Sequence, residues 1–172
     1  TDVTLKNNKS KRFTFYKMLY DRGILKFTKT KKALVAPFFV SKKNGKQRLV
    51  LDCREVNQQF RRPHRPELGP ADSLQRLESE PGAPLYEAEG DLKNCFYQCA
   101  IEAWLQDYFC FDDELDVSWM RGLGETMDSR GNPLHDGDVY HACLGVLPMG
   151  FSWSFWILQE MVVHLSSRFG VS

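Results

Sequence analysis

Residues 33–54, ALVAPFFVSKKNGKQRLVLDCR, contain two apolar runs that flank a short basic segment, KKNGK. The Asn44-Gly45 pair favours a tight turn between the runs, because both residue types tolerate the positive φ angles that two-residue hairpin turns require. The stretch therefore predicts a β-hairpin at about 33–54. Its tip and return strand would carry four cations: Lys42, Lys43, Lys46 and Arg48.

Charge is distributed unevenly along the chain. Residues 1–65 hold 18 Lys and Arg against 4 Asp and Glu, whereas the remaining residues hold 5 against 18, for a net charge of +1. A basic segment with interleaved aromatic residues is typical of a surface that binds a polyanion. The same segment could instead pair with the acidic second part of the chain, and the sequence leaves both interpretations open.

Composition indicates an ordinary globular domain. The chain has 172 residues, of which 42% are hydrophobic and 26% charged, enough for one domain with a core of its own. The longest apolar run, ALVAPFFV, is too short to cross a bilayer, so no membrane span is expected. The chain begins at Thr1 without a visible leader, which suggests a fragment or a processed product. A targeting segment could have been lost.

The cysteines and histidines give no metal-ligand pattern. Five cysteines form no Cys-x-x-Cys pair, and the four histidines have no ligand spacing. Small buried thiols are the expected interpretation. They predict an intracellular, reducing compartment, with the organelle left open.

Periodicity predicts an α+β fold in which helices pack on an antiparallel sheet. Helices are expected near 12–21 and at 71–80, and a strand followed by a turn at 85–101. Residues 102–111 would form a short helical turn and a strand. The acidic segment 112–138 would be an elaborated hairpin or surface insertion, followed by a strand and a tight turn. The apolar segment 151–170 predicts a buried helix.

Two further stretches add candidate functional residues. EGDLKNCFYQC, residues 89–99, places Asp91 at the expected end of a strand and Phe96 five residues later. VLPMGFSWS, residues 146–154, forms a turn that opens the apolar helix. Each stretch alone has an ordinary structural interpretation.

Taken in order, the three stretches resemble reverse transcriptases, especially those of retrotransposons and retroviruses. KKNGKQRLVLDCREVN is similar to the fingers hairpin of that family, GDLKNCFYQ to palm motif A, and VLPMGFSWS to motif B. The resemblance covers about residues 12–168. It implies a fingers-like region at 1–90 and a partial palm at 91–172, the latter with a motif A strand, the insertion 112–138, and the motif B turn and helix at 147–168.

The resemblance also implies roles for individual residues. Asp91 would be a catalytic carboxylate and, with the Leu92 carbonyl, a ligand of catalytic Mg²⁺. Phe96 would exclude a 2′-hydroxyl from the nucleotide site. Three further residues would serve the incoming nucleotide: Arg48 and Lys43 (with Lys42 as the other candidate) as triphosphate ligands, and Gly150 as a point of close backbone approach. Asp52 and Arg54 are expected to brace the hairpin by pairing.

The sequence departs from the family pattern in two places. Met149 stands where the family has glutamine, and a thioether cannot supply the hydrogen bonds of an amide. The Tyr-x-Asp-Asp element is absent from the 172 residues, and the acidic pair in FDDEL, residues 111–115, is interpreted as a turn. Because two magnesium ions need several carboxylates, the chain alone is not expected to polymerise.

Two functions follow as expectations. The chain is a fragment of an RNA-directed DNA polymerase, which transfers nucleotides by a two-magnesium mechanism once the missing palm carboxylates complete it. Alternatively, it is a retroelement-derived, catalytically inactive domain that serves as a structural or RNA-binding subunit of a larger assembly. Expected partners are a nucleic-acid template–primer and either the remaining palm and thumb or a protein that covers the incomplete palm.

Overall fold

A computed structural model describes residues 2–43, 45–66 and 90–168. The helices are α1 (Val3–Asn7), α2 (Lys9–Tyr20), α3 (Arg54–Gln58), α4 (Cys95–Gln98), α5 (Ala103–Gln106), α6 (Val117–Gly122) and α7 (Ser154–Arg168). The strands are β1 (Leu25–Thr28), β2 (Ala36–Ser41), β3 (Gln47–Asp52), β4 (Cys110–Leu115) and β5 (Tyr140–Leu144). The mixture of helices and antiparallel strands confirms the predicted α+β class. The predicted helix at 71–80 and the segment 85–89 lie outside the described residues.

A three-stranded antiparallel sheet with the order β1-β5-β4 forms the centre of the fold. Every residue of β5 is buried, as expected for a short apolar strand with a neighbour on each side. Leu25 in β1 pairs with Leu144 in β5, and Cys110 in β4 pairs with Cys143. The sheet therefore joins a strand from the basic first part of the chain to two strands from the acidic second part.

The predicted hairpin is confirmed. Strands β2 and β3 pair antiparallel from Ala36 opposite Asp52 to Ser41 opposite Gln47. At the tip the backbone N–H of Lys42 donates to the Lys46 carbonyl at 2.7 Å, and Gly45 has a φ angle of +73°. The hairpin forms a two-stranded sheet separate from the central one.

Helix α2 covers the central sheet, and it confirms the helix predicted near 12–21. Phe15, Tyr16 and Leu19 are buried on its inner face. The rings of Phe15 and Tyr16 pack against Phe111 of β4, with centroids 6.1 and 5.2 Å apart. Aromatic contacts of this geometry add to the hydrophobic stabilisation from burial.

The segment 112–138 is confirmed as an elaborated hairpin, because it leads from β4 through α6 into the antiparallel strand β5. The interpretation of FDDEL as a turn is wrong. Asp112 and Asp113 lie inside β4, near an irregularity between Cys110 and Glu114. Their strand conformation is stabilised by tertiary contacts, since Asp113 binds side chains of α2.

Helix α7 confirms the predicted helix but not its burial. Ser154 is its only buried residue, whereas Phe155 and Leu165 are each 48% exposed. Only the first turns of α7 approach the core, where Ile157 packs. Farther along the helix, Met161 contacts Cys99 next to α4, whereas Val163 and Leu165 are about half exposed. No described helix has both the length and the hydropathy needed to span a membrane.

Candidate nucleotide and template site

The hairpin is attached to the turn that precedes α7 through one side chain. Strand β3 runs directly into α3, which directs Asn57 towards that turn. The Asn57 side-chain amide donates to the Gly150 carbonyl at 3.0 Å, and its oxygen accepts from the Ser152 backbone N–H at 2.8 Å. One asparagine thus satisfies two backbone groups more than 90 residues away in sequence, and we call this pair of bonds the Asn57 clamp.

Gly150 occupies a position that only glycine fits. Its φ angle is +117°, and a Cβ atom there would lie 2.6 Å from the Leu51 carbonyl oxygen. The sequence predicted that Gly150 lets the backbone approach a nucleotide or template. The structure shows that its close neighbour within the chain is the end of β3, which explains the glycine by packing of the turn against the hairpin.

Other side chains fix the same turn. The Trp153 indole N–H donates to the Arg61 carbonyl at 2.6 Å, and the Ser154 hydroxyl donates to the Pro148 carbonyl at 2.7 Å. Met149, which stands where the family has glutamine, is 43% exposed. The turn from 148 to 154 is therefore held by side-chain bonds.

An open cavity of about 520 Å³ lies where the hairpin meets this turn. It is lined by residues of β2, β3, α3 and the turn: Phe38, Val50, Leu51, Asp52, Cys53, Arg54, Asn57 and Gly150. Burial raises the pKa of the Cys53 thiol to about 12, so this thiol is protonated at neutral pH. The polar character of the cavity comes from its charged pair and from Asn57.

Asp52 and Arg54 form that charged pair, which confirms the predicted pairing of the two side chains. The Arg54 guanidinium binds both carboxylate oxygens, with the shortest distance 2.6 Å, and the Arg54 backbone N–H adds a bond of 3.1 Å. The side-chain hydrogen bonds from Arg54, followed by its backbone N–H, lower the pKa of Asp52 to about 2. The pair connects the last residue of β3 to the first residue of α3.

The cations Lys42, Lys43 and Arg48 of the hairpin differ from four other basic residues in the first part of the chain. Arg12, Lys29, Lys31 and Lys32 pair with acidic residues of the second part, so the pairing interpretation of the charge pattern holds for them. Lys42, Lys43 and Arg48 are exposed. Within the described parts of the chain their side chains form no hydrogen bond or ion pair, so these three charges are available to an external anion.

Asp91, Leu92 and Phe96 lie around a tight turn. Asp91 is exposed and has no strand conformation, and Leu92 is 61% exposed. The Leu92 carbonyl accepts from the Cys95 backbone N–H at 3.3 Å, and Asn94 closes the turn with a φ angle of +54°. Phe96 is half-buried and packs against the core at the start of α4. No contact between Asp91 and the hairpin cations appears in the described structure.

The described residues do not by themselves form a site for two magnesium ions. No group of three or more His, Cys, Asp and Glu side chains comes together within residues 2–43, 45–66 and 90–168. Two magnesium ions need several carboxylate oxygens around them. Asp91 and the Leu92 carbonyl are therefore an incomplete ligand set for catalytic Mg²⁺.

Sequence reasoning missed a buried carboxylate. Asp107 is fully buried and accepts hydrogen bonds from Thr28 at 2.8 Å and from Arg130 at 2.5 Å. Arg130 also donates to the Thr28 hydroxyl at 3.1 Å. The network ties the loop before β5 to β1. The sequence segment SRGNP, residues 129–133, indicates a turn that contains Arg130, but it does not indicate the partners of Arg130.

A second network anchors α2 to β4. The Arg12 guanidinium binds both oxygens of Asp113 at 2.7 and 2.9 Å, and the Tyr16 hydroxyl donates to Asp113 at 2.7 Å. Burial alone would raise the pKa of Asp113, but the hydrogen bonds from Arg12 and Tyr16 outweigh it and lower that pKa. Asp113 thus has a structural role in the fold.

Comparison with known proteins adds no family assignment, because neither the protein-family models nor the curated proteins include a match to this chain.

Proposed function

We propose that this chain forms the fingers and the first part of the palm of a reverse-transcriptase-like, RNA-directed DNA polymerase. The observation that carries the proposal is the Asn57 clamp. It joins the cationic hairpin and the turn from 148 to 154 into one unit, and these are two of the three stretches that resemble the family.

The chemistry of this unit suits a nucleic-acid backbone. Lys42, Lys43 and Arg48 present exposed cations on one hairpin, and guanidinium and ammonium groups bind phosphate oxygens through charge-assisted hydrogen bonds. The cavity beside the clamp adds Phe38 and the Asp52–Arg54 pair. In the proposed function Arg48 and Lys43 bind the triphosphate or the template backbone, and Phe96 selects the sugar.

Nucleotidyl transfer is proposed only for the completed site. Asp91 and the Leu92 carbonyl would supply oxygen ligands of catalytic Mg²⁺, and the ion would supply Lewis acidity for nucleotidyl transfer. Further carboxylates must complete that ligand set. The part of the function assigned to the described residues is therefore binding of nucleotide and template–primer.

Fluorescence anisotropy with a labelled RNA–DNA template–primer tests the binding. The affinity of the wild-type chain should fall steeply with salt concentration, because phosphate contacts release counterions. Arg48→Ala should weaken binding and reduce the slope of log K against log salt by about 1. The matched control is Arg22→Ala, which removes an exposed arginine whose bond is to the end of its own helix. Salt-independent binding, or equal losses in both variants, would contradict the proposal.

The exposed face of α7 favours a second candidate function, a catalytically inactive subunit of a larger assembly. Phe155, Met161 and Leu165 are all more than 40% exposed and lie on one side of the helix, and such a patch commonly contacts another protein. On this view a protein partner covers α7 while the hairpin binds RNA. Five free thiols support an intracellular, reducing compartment for either function.

Primer extension separates the two candidates. The native protein, isolated with whatever chains accompany it, is assayed with template–primer, deoxynucleotides and Mg²⁺. Extension that is lost in Asp91→Asn but kept in Asp116→Asn supports the polymerase. Template–primer binding without extension supports the inactive subunit.

A further inference from the structure

A short basic segment that follows α3 is attached to the start of α7. Residues 61–65 have the sequence RRPHR, and their three arginines and the histidine are exposed. The Trp153 indole N–H donates to the Arg61 carbonyl at 2.6 Å, across 92 residues of sequence. We call residues 61–65 the RRPHR segment, and the function proposed above gives its side chains no role.

Two prolines keep the RRPHR segment extended. Arg62 precedes Pro63 and Arg65 precedes Pro66, and a residue before proline is disfavoured in the helical region by a clash with the ring. Residues 61–66 accordingly form neither helix nor strand. Extended backbone covers at most about 3.6 Å per residue, so the Cα atoms of Arg62 and Arg65 lie up to about 11 Å apart. Charges spread in this way suit a row of phosphates better than one small anion.

The arginine side chains of the RRPHR segment have no partner among the described residues. Within that part of the chain, Arg61, Arg62 and Arg65 form no side-chain hydrogen bond or ion pair. Arg12 and Arg54, by contrast, each bind a carboxylate. Exposed guanidinium groups bind phosphate oxygens through charge-assisted hydrogen bonds. An external polyanion is therefore the partner that the charge of this segment fits.

An aromatic pair lies beside the RRPHR segment. The Trp153 and Trp156 rings meet edge to face, with centroids 5.4 Å apart and planes at 82°. Trp153 packs against the core. Trp156 is half-buried, so part of its surface is open to solvent. The indole bond to Arg61 therefore places a partly exposed aromatic side chain near a row of cations.

The RRPHR segment and the cationic hairpin are attached to the same turn. Asn57, at the end of the hairpin, binds Gly150 and Ser152 through the Asn57 clamp. Trp153, the next residue of the turn, binds Arg61. The turn from 148 to 154 thus fixes the two basic surfaces relative to each other, so that one extended ligand contacts both.

We propose that the RRPHR segment and Trp156 bind single-stranded nucleic acid, with Arg62 and Arg65 on phosphates and one unpaired base stacked on Trp156. Proteins that bind single strands combine a cationic surface with aromatic side chains on which bases stack. A duplex keeps the faces of its bases within its own stack, which favours an unpaired strand at Trp156. The inference rests on the proposed function, in which the hairpin binds the template–primer, and assigns the unpaired end of that template to the RRPHR segment.

Fluorescence anisotropy with two labelled nucleic acids tests this contact: a blunt RNA–DNA duplex, and the same duplex with an unpaired template overhang. The wild-type chain should bind the overhang duplex more tightly. Arg62→Ala/Arg65→Ala should remove most of that difference and lower the slope of log K against log salt by about 1.4, because each phosphate contact to a single strand contributes about 0.7. Binding of the blunt duplex should not change. Lys11→Ala/Arg22→Ala removes two exposed cations in and next to α2 and should bind both ligands like the wild type.

Two variants of Trp156 test the stacking separately from charge. Trp156→Ala should weaken binding of the overhang duplex by about 5-fold or more, since it removes the surface on which a base stacks. Trp156→Phe keeps an aromatic ring and should retain more of the affinity. Equal losses in the two variants would overturn the stacking. A polyglutamate peptide that displaces the overhang duplex as well as single-stranded RNA does would also overturn it, because the peptide has no base.

Failure of this inference is distinguishable from failure of the proposed function. Suppose that binding of the blunt duplex depends on Arg48, but Arg62→Ala/Arg65→Ala binds the overhang duplex like its control. The RRPHR contact would then be overturned while the function of the hairpin remains. Loss of overhang binding in that double variant, with no dependence on Arg48, would support the RRPHR contact and contradict the hairpin. No binding of either nucleic acid would overturn both.

Discussion

The side-chain amide of Asn57 donates a hydrogen bond to the carbonyl oxygen of Gly150 over 3.0 Å. This bond, with its companion from Ser152, fixes the position of the cationic hairpin relative to the turn that opens α7. Neither partner contributes charge. We propose that they hold Arg48 and the turn in a fixed relative position, so that an extended anion contacts both.

Removal of the clamp should loosen the turn and cost stability. Asn57→Ala loses two hydrogen bonds, each with a net value of about 0.5–1.5 kcal/mol, so we expect the free energy of unfolding to fall by about 1–3 kcal/mol. Amide exchange at Ser152 should accelerate. Gln58→Ala, an exposed neighbour in the same helix, is the control. Unchanged exchange at Ser152 in Asn57→Ala would show that the turn is held without the clamp.

Substitution of Gly150 should be more damaging than substitution of a glycine in open space. Gly150→Ala forces an alanine into a positive φ angle and brings its Cβ within 2.6 Å of the Leu51 carbonyl oxygen. We expect a loss of about 1–3 kcal/mol or more, measured by urea unfolding. The control is Gly131→Ala. Gly131 has a φ angle of +79°, and no atom lies within 4 Å of the Cβ that alanine would add, so this variant has the backbone strain without a close contact to a carbonyl oxygen. Equal losses in the two variants would exclude the close approach as the cause.

The buried carboxylate of Asp107 should make Arg130 a strong determinant of stability. Arg130→Ala leaves a fully buried carboxylate with only Thr28 and a distant Lys32 as partners, which should cost about 3–5 kcal/mol. Lys17→Ala breaks an exposed pair with Asp21 and should cost about 0.5 kcal/mol or less. Adding Asp107→Asn to Arg130→Ala should recover part of the loss. Similar small losses for Arg130→Ala and Lys17→Ala would contradict the assigned network.

The Asp52–Arg54 pair should contribute to the fall in the free energy of unfolding at acid pH. The pKa of Asp52 falls from an ordinary 3.8 to about 2 in the folded chain, so between these values the unfolded chain binds more protons at this residue. The pair therefore stabilises the fold above about pH 4, and this stabilisation is lost as the pH falls towards 2. Arg54 is largely exposed, so the effect should be modest. Urea unfolding from pH 5 to pH 2 should show a flatter pH dependence for Arg54→Ala than for Arg22→Ala, and identical profiles would contradict the contribution.

Local sequence patterns predicted those elements whose formation depends on turn residues and on the spacing of apolar residues. The hairpin follows from two apolar runs around Asn-Gly, and α2 follows from its apolar spacing. The burial of α7 was predicted wrongly, because an apolar composition shows that a helix can be covered but not that a neighbour covers it. Phe155 and Leu165 remain exposed for this reason.

Long-range polar contacts were the least predictable features. Asp107 accepts hydrogen bonds from Thr28, which is 79 residues away in sequence, and from Arg130, which is 23 residues away. The hydrophobic periodicity of a sequence does not indicate such long-range polar contacts. The Asp52–Arg54 pair was predictable because its members are two residues apart. Asn57 was visible in the sequence pattern of the hairpin, but its partner at Gly150 appeared only in the folded chain.

The central claim is that the hairpin and the turn from 148 to 154 together contact nucleic acid. Photocrosslinking tests it most directly: a template–primer with a photoreactive base is bound to the chain, irradiated and mapped by peptide mass spectrometry. We expect crosslinks within residues 38–54 and 148–154, reduced by salt and by Arg48→Ala. Crosslinks confined to α7 or to other surfaces, with the hairpin and the turn unlabelled, would contradict it.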